Sequence, residues 1–267
     1  VGLFGSAGAA GSMLGRSASG PLVDHFTREF VYVFLAVAGG FVVLTCLFVD
    51  DPTPESSTDG AGIETWAAFV STLRGRFLPT SGDGTAHLRT NGLHWLYVAS
   101  LLRNATVIGM MSLLPVYLVA ELDLSPATMG LLLGVNPAVQ MVGMYSLGRL
   151  SDVSGRKRLI TGGLVGSGVF ALLTPVASLP SSALARAAVA GTGLITLGVA
   201  YSGLQTGMVA FIGDVAPAER ESELIGLRST ARGFGGVVGP PLLGVGATVV
   251  GYEPTFAAAS LLAFGGA

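Results

Sequence analysis

Six polar side chains stand inside stretches of sequence that are otherwise almost free of charge: Arg16, Arg103, Asn136, Gln140, Tyr201 and Gln205. Such groups bind and orient; they do not by themselves make bonds. An arginine at the centre of a membrane helix costs about 2.5–3.5 kcal/mol on insertion scales, so its retention calls for a carboxylate, an anionic ligand or a route to the surface. Arg16 stands about two turns from the outer end of its stretch, which strains the route to the surface and favours a charged or anionic partner. Arg103, followed by Asn104, fits either an interior role or the cytoplasmic interface, depending on where its helix begins. Asn136 and Gln140 are four apart, as are Tyr201 and Gln205, so each pair shares a helix face. Both pairs fit the lining of a substrate cavity as well as plain hydrogen bonding between helices.

Bond-making chemistry is missing from the pattern. No nucleophile–base set, no phosphate-cradling Gly-x-x-x-x-Gly-Lys-Ser/Thr loop and no cluster of metal ligands stands out. His25, His87 and His94 fall in connections or near the ends of apolar stretches, and Cys46 is the single cysteine. The expectation is a protein that is not an enzyme, with no cofactor and no metal.

The elements that must hold these residues are membrane helices. Of 267 residues, 51% are hydrophobic and 11% charged, against about 25% charged in soluble domains. With a net charge of -2 and no basic tract, nucleic acid is excluded as a partner. Uncharged runs cover residues 30–49, 124–148, 159–185, 187–213 and 233–252, and two more runs, 1–23 and 93–120, are interrupted by Arg16 and Arg103. Each suffices for a crossing, which needs about 20 residues. The last run, 254–267, is too short to cross. The expected fold is an all-α membrane bundle of seven spanning helices and a truncated eighth.

Between the second and third spans, residues 50–92 open with a Pro/Ser-rich stretch that reads as a linker. Within it Ile63, Trp66, Phe69, Val70, Leu73 and Phe77 recur at helical spacing. That pattern fits an amphipathic helix on the membrane surface and equally a short helix packed on the bundle. Three connections share ten positive charges: Arg74, Arg76 and Arg89; Arg149, Arg156, Lys157 and Arg158; Arg220, Arg228 and Arg232. The opposite face has two, Arg28 and Arg186. The positive-inside rule makes the ten-charge face, with the loops 50–92, 148–158 and 214–232, cytoplasmic.

Shifted by 224 residues, the first stretch repeats in the seventh: GSMLGRSASG at 11–20 answers GGVVGPPLLG at 235–244. In both, Gly-x-x-x-Gly is followed five residues later by Gly. Gly15, Gly235 and Gly239 are expected at helix contacts, and the Gly239-Pro240 pair is expected to ease bending. The repeat suits a transporter built of two similar halves.

The segment running Gly148, Leu150, Asp152, Gly155, Arg156, Lys157 resembles the Gly-x-Leu-x-Asp-Arg-x-Gly-Arg-Lys/Arg signature of the major facilitator superfamily, with Val153 in place of the usual arginine. LLPVYL at 113–118 and Asp214-x-x-Pro217-x-x-Arg220 are similar to further family patterns. The resemblance implies that residues 1–49 are the last two helices of an N-terminal bundle, 50–92 a cytoplasmic linker and 93–267 most of a C-terminal bundle. It implies further N-terminal helices of the same protein, which would carry any proton-titrating groups. It also gives the signature loop a gating role, Asp152 meeting the positive end of the helix near Leu224; the alternative is a topogenic basic loop that does not switch.

The activity so implied is secondary active transport of a small molecule by alternating access, by a monomer in the lipid of the plasma membrane, coupled to an ion such as the proton. Efflux of drugs or metabolites by antiport is the first reading, because the loop resembles drug-efflux members. Their fifth helix, however, carries a Gly-Pro-x-x-Gly-Gly element that reads Gly15-Arg16-Ser17-Ala18-Ser19-Gly20 here. Uptake symport of an organic anion or sugar is the second reading, which Arg16 favours. A transporter-like sensor or scaffold that moves nothing is a third.

Overall fold

The computed structural model describes residues 2–25, 28–48, 92–215 and 221–265. These form eight helices: α1 (Gly2–His25), α2 (Arg28–Cys46), α3 (Leu93–Ala120), α4 (Pro126–Ser154), α5 (Arg156–Val176), α6 (Ala183–Val215), α7 (Glu221–Val250) and α8 (Tyr252–Gly265). No strand occurs among the described residues. Where water is absent, every backbone donor and acceptor must be satisfied within its own segment, and a helix does this even through glycine-rich sequence. Five described helical segments are long and apolar enough to cross a membrane: Leu93–Ala120, Pro126–Leu147, Arg156–Val176, Ala183–Val215 and Leu224–Val250. In α2 the apolar segment is shorter, Tyr32–Thr45.

The chain divides into two compact units, Val1–Phe26 with His94–Ala267, and Thr27–Leu93. In the second unit α2 is described by itself, and its side chains from Tyr32 to Thr45 are exposed. The expected surface helix within 50–92 lies outside the described residues. In the first unit α1 packs on α4, α4 on α6, α6 on α5, and α8 on α5 and α7.

Short connections fix these contacts. After α3 the chain turns through Asp123, at φ +52°, and Ser125 caps α4 by accepting from the Thr128 amide at 3.2 Å, with Pro126 in the first turn. A single non-helical residue, Gly155 at φ +87°, separates α4 from α5, and Gly251 at φ +93° separates α7 from α8. Both sit in backbone territory that side chains rarely enter, which is why glycine stands there.

The larger apolar core cluster lies toward the end of this unit that holds the α3–α4 and α5–α6 connections. Tyr117 is fully buried, meets Phe256 edge-on at 5.1 Å and donates to the Thr174 carbonyl at 3.3 Å. Leu114, Leu118, Leu122, Phe170 and Leu194 fill the space around it.

The helix boundaries correct the layout expected at two connections. The helices run through most of residues 148–158 and 214–232, since charge alone does not end a helix whose flanking turns continue. Arg228 and Arg232 therefore stand inside α7, not in a connection.

Candidate functional site

Helices α3 and α7 approach until their backbones touch. A Cβ on Gly235 would overlap the Leu101 carbonyl, one on Gly239 would overlap the Ala105 carbonyl, and one on Gly109 would lie 2.8 Å from the Gly239 carbonyl. Small residues permit this closeness, the main source of helix affinity where lipid replaces water. Side-chain bonds tie the same pair together: Tyr97 Oη donates to the Leu224 carbonyl at 3.2 Å, and Asn104 Nδ2 to the Arg232 carbonyl at 2.8 Å.

Between these ties lies a cluster of three arginines. Arg103 of α3 is 3% exposed, so it lies in the interior and not at an interface. Its Nε donates to Ser167 Oγ of α5 at 3.0 Å, and one terminal nitrogen reaches Asn104 Oδ1 at 3.3 Å. Its guanidinium carbon sits 5.3 Å from the centre of the Tyr201 ring. Arg228 and Arg232, four apart on α7, share a face and meet α6. Arg228 Nη2 donates to Gln205 Oε1; Arg232 donates to the same oxygen at 3.4 Å and to Tyr201 Oη at 3.2 Å. The guanidinium of Arg232 also lies 5.8 Å from the Tyr201 ring centre.

The balance of charge is unusual for such a place. Among the described residues no carboxylate bonds to any of the three guanidinium groups. Like charges brought close together in a medium of low dielectric constant repel. Among the described residues two buried donors have no partner: the second terminal nitrogen of Arg103 and Nε of Arg228. Ring quadrupoles offset part of the charge, by about 0.5–2 kcal/mol per cation. What the arrangement can do chemically is accept an anion.

The sequence-derived candidates divide in the structure. Arg103, Tyr201 and Gln205 come together in the cluster. Asn136 and Gln140 bond to each other at 2.6 Å, and Asn136, buried, reaches the Leu194 carbonyl of α6 at 3.5 Å. Arg16 is exposed on α1. A Cβ on Gly15 would meet nothing, whereas Gly134 of α4 is closed by Ser17 of α1. Pro240 stands within a helix that continues past it to Val250.

In the signature segment Gly148, Leu150 and Asp152 belong to the last turns of α4, and their side chains lie outside the described residues. Gly155 is the break, and Arg156 opens α5. Arg156 forms a two-pronged ion pair with Asp214 at the end of α6, at 2.5 and 3.2 Å, while Lys157 is exposed.

Arg228 and Arg232 are the cluster members that sequence reasoning missed. Counting uncharged runs placed them outside a span by construction. Their four-residue spacing, immediately before the Gly235–Gly239 pair, was the available signal.

The sequence model of the Major Facilitator Superfamily matches residues 1–187 and, in a second stretch, 96–267. Together the two stretches cover the chain. The chain belongs to the Major Facilitator Superfamily. No individual curated protein matches it. It is accordingly a multi-pass membrane transporter of that superfamily, an all-α bundle, and the arginine cluster lies among four of the bundle's helices.

Proposed function

We propose that this superfamily member is a secondary active transporter that moves a small molecule by alternating access in the plasma membrane, driven by an ion gradient such as that of protons. The observation that carries the reading is the cluster of buried Arg103 and Arg228 with half-buried Arg232 around Tyr201 and Gln205. Intramembrane charge is expensive, and its ordinary reason is a transport path. Residues 1–49 are read as the end of one bundle, 50–92 as a cytoplasmic linker and 93–267 as the other bundle. Rocking of the two bundles then exposes the cluster to either side. The contact of Ser17 with Gly134 supplies a place where the bundles meet.

Efflux of drugs or metabolites by proton antiport is the direction suggested by the signature segment, with Arg156 and Asp214 closing the cytoplasmic end. Uptake of an organic anion is the second reading, and the three uncompensated guanidinium groups favour it. Asn136, Gln140 and Arg16 are candidates for contact with the cargo.

Proteoliposomes carrying the protein, given an imposed pH gradient, distinguish these directions. Gradient-driven flux of labelled ethidium supports efflux of cationic drugs; flux of labelled succinate supports the anion reading. Binding of either without counterflow replaces transport by a sensing role.

A further inference from the structure

We propose that Arg103, Arg228 and Arg232 form a binding site for one oxyanion group, a carboxylate or a phosphate, carried by the transported molecule. This rests on the reading of the protein as a transporter and assigns its cargo a chemical class.

Three features point to an oxyanion. The two donors without partners, on Arg103 and Arg228, are buried and belong to different helices, α3 and α7, and an anion that reached both would complete them. Guanidinium groups present their donors in a planar fork that matches carboxylate and phosphate oxygens. Five other donors of the three arginines bond to Ser167, Asn104, Gln205 and Tyr201, which anchors each guanidinium group and limits its movement.

The charge count gives the ligand its sign. An ion pair inside the bundle would have required a carboxylate on the neighbouring helices, and among the described residues α5 and α6 offer Ser167, Tyr201 and Gln205 instead. Those groups orient cations and accept hydrogen bonds without neutralising charge. A neutral or cationic cargo would leave the repulsion in place. An anion removes it and fills the open donors in one step.

The surroundings make the site a defined one. On one side the Tyr97 bond to the Leu224 carbonyl joins α3 to α7, and on the other the Asn104 bond and the glycine contacts join them again. The anion therefore meets donors whose spacing is held by backbone contact, which lowers the cost of ordering them on binding. Release of the anion requires these helices to shift or the protein to open toward one face.

The test uses the whole protein purified in detergent, with labelled succinate and inorganic phosphate as separate probes and succinamide as the uncharged comparison. Either anion is expected to bind and raise the melting temperature, and succinamide to do neither. Succinate alone identifies a carboxylate site, phosphate alone a phosphate site. Arg103→Gln and Arg228→Gln should each weaken binding at least tenfold, while Arg228→Lys should retain part of it because the charge remains. Removing a like charge should leave the anion-free protein's melting temperature unchanged or higher, the opposite of what a purely structural arginine would show. Absence of binding by both anions, or binding unchanged in both glutamine variants, overturns the proposal. Counterflow of an uncharged solute together with absent anion binding would do so while leaving the transporter reading intact. Anion binding without any flux would reject transport and keep the site.

Discussion

Arg228 and Arg232 donate to one and the same oxygen, Oε1 of Gln205. A neutral amide thus holds two cations apart by a single lone-pair-bearing atom. Replacing it with a carboxylate tests how far charge governs this region. In Gln205→Glu the new carboxylate compensates the arginines, so the melting temperature of the ligand-free protein rises by several degrees. The same change competes with an incoming anion, and succinate or phosphate binding falls at least tenfold. Differential scanning fluorimetry and equilibrium binding read the two effects, and a parallel fall in both would contradict the assignment.

Tyr201 works through its ring and its hydroxyl separately. The ring faces Arg103 and Arg232, and the hydroxyl accepts from Arg232 at 3.2 Å. Tyr201→Phe keeps the ring and loses one hydrogen bond, worth about 1 kcal/mol or roughly a fivefold change in affinity. Tyr201→Ala loses the ring as well and should cost clearly more. Equal effects of the two substitutions in an anion-binding assay would show that the ring is idle.

The seam between α3 and α7 has no room for a methyl group at Gly239. Gly239→Ala should destabilise the protein by about 1–3 kcal/mol, the usual range for overpacking. Gly244, on the same helix, faces open space. Gly244→Ala should be neutral or slightly stabilising, because alanine favours the helix by up to about 1 kcal/mol. Melting of both variants in one detergent is the measurement.

Part of this arrangement is legible in the sequence. The apolar run at 93–120, interrupted by Arg103, coincides with α3, because its ends are set by a glycine before it and charged residues after it. The four-residue pairing of Tyr201 with Gln205 placed both on one face of α6, where the arginines meet them. What escaped was the start of α7. A helix tolerates charges inside it when neighbours supply acceptors, and nothing in a one-dimensional count reveals Gln205 and Tyr201 waiting on another helix. In the sequence Arg228 and Arg232 therefore look like topological markers. The depth of Arg103 was open for the same reason: its neighbour Ser167 lies far away along the chain. Asn136 shows the opposite lesson. Its four-residue pairing with Gln140 is a direct hydrogen bond, which periodicity alone left undecided.

Arg156 and Asp214 tie α5 to α6 at a partly exposed end of the bundle. Such pairs contribute about 0.2–1 kcal/mol to stability, so Arg156→Ala and Asp214→Ala should melt within a few degrees of the unaltered protein. Their effect on transport should be larger, since a contact that forms in one transport state shifts the balance between states. In a double-mutant cycle on the initial transport rate, the pair should show coupling that fades at high salt. Strict additivity would make the contact incidental.

Gly155 leaves α4 and α5 with one residue between them. A joint so short gives the two rods almost no chain with which to separate at that end. Ser17 presses on the first of these rods, and Ser167, on the second, grips Arg103. That single residue therefore puts the helix touched by Ser17 and the helix that holds Arg103 in direct succession along the chain.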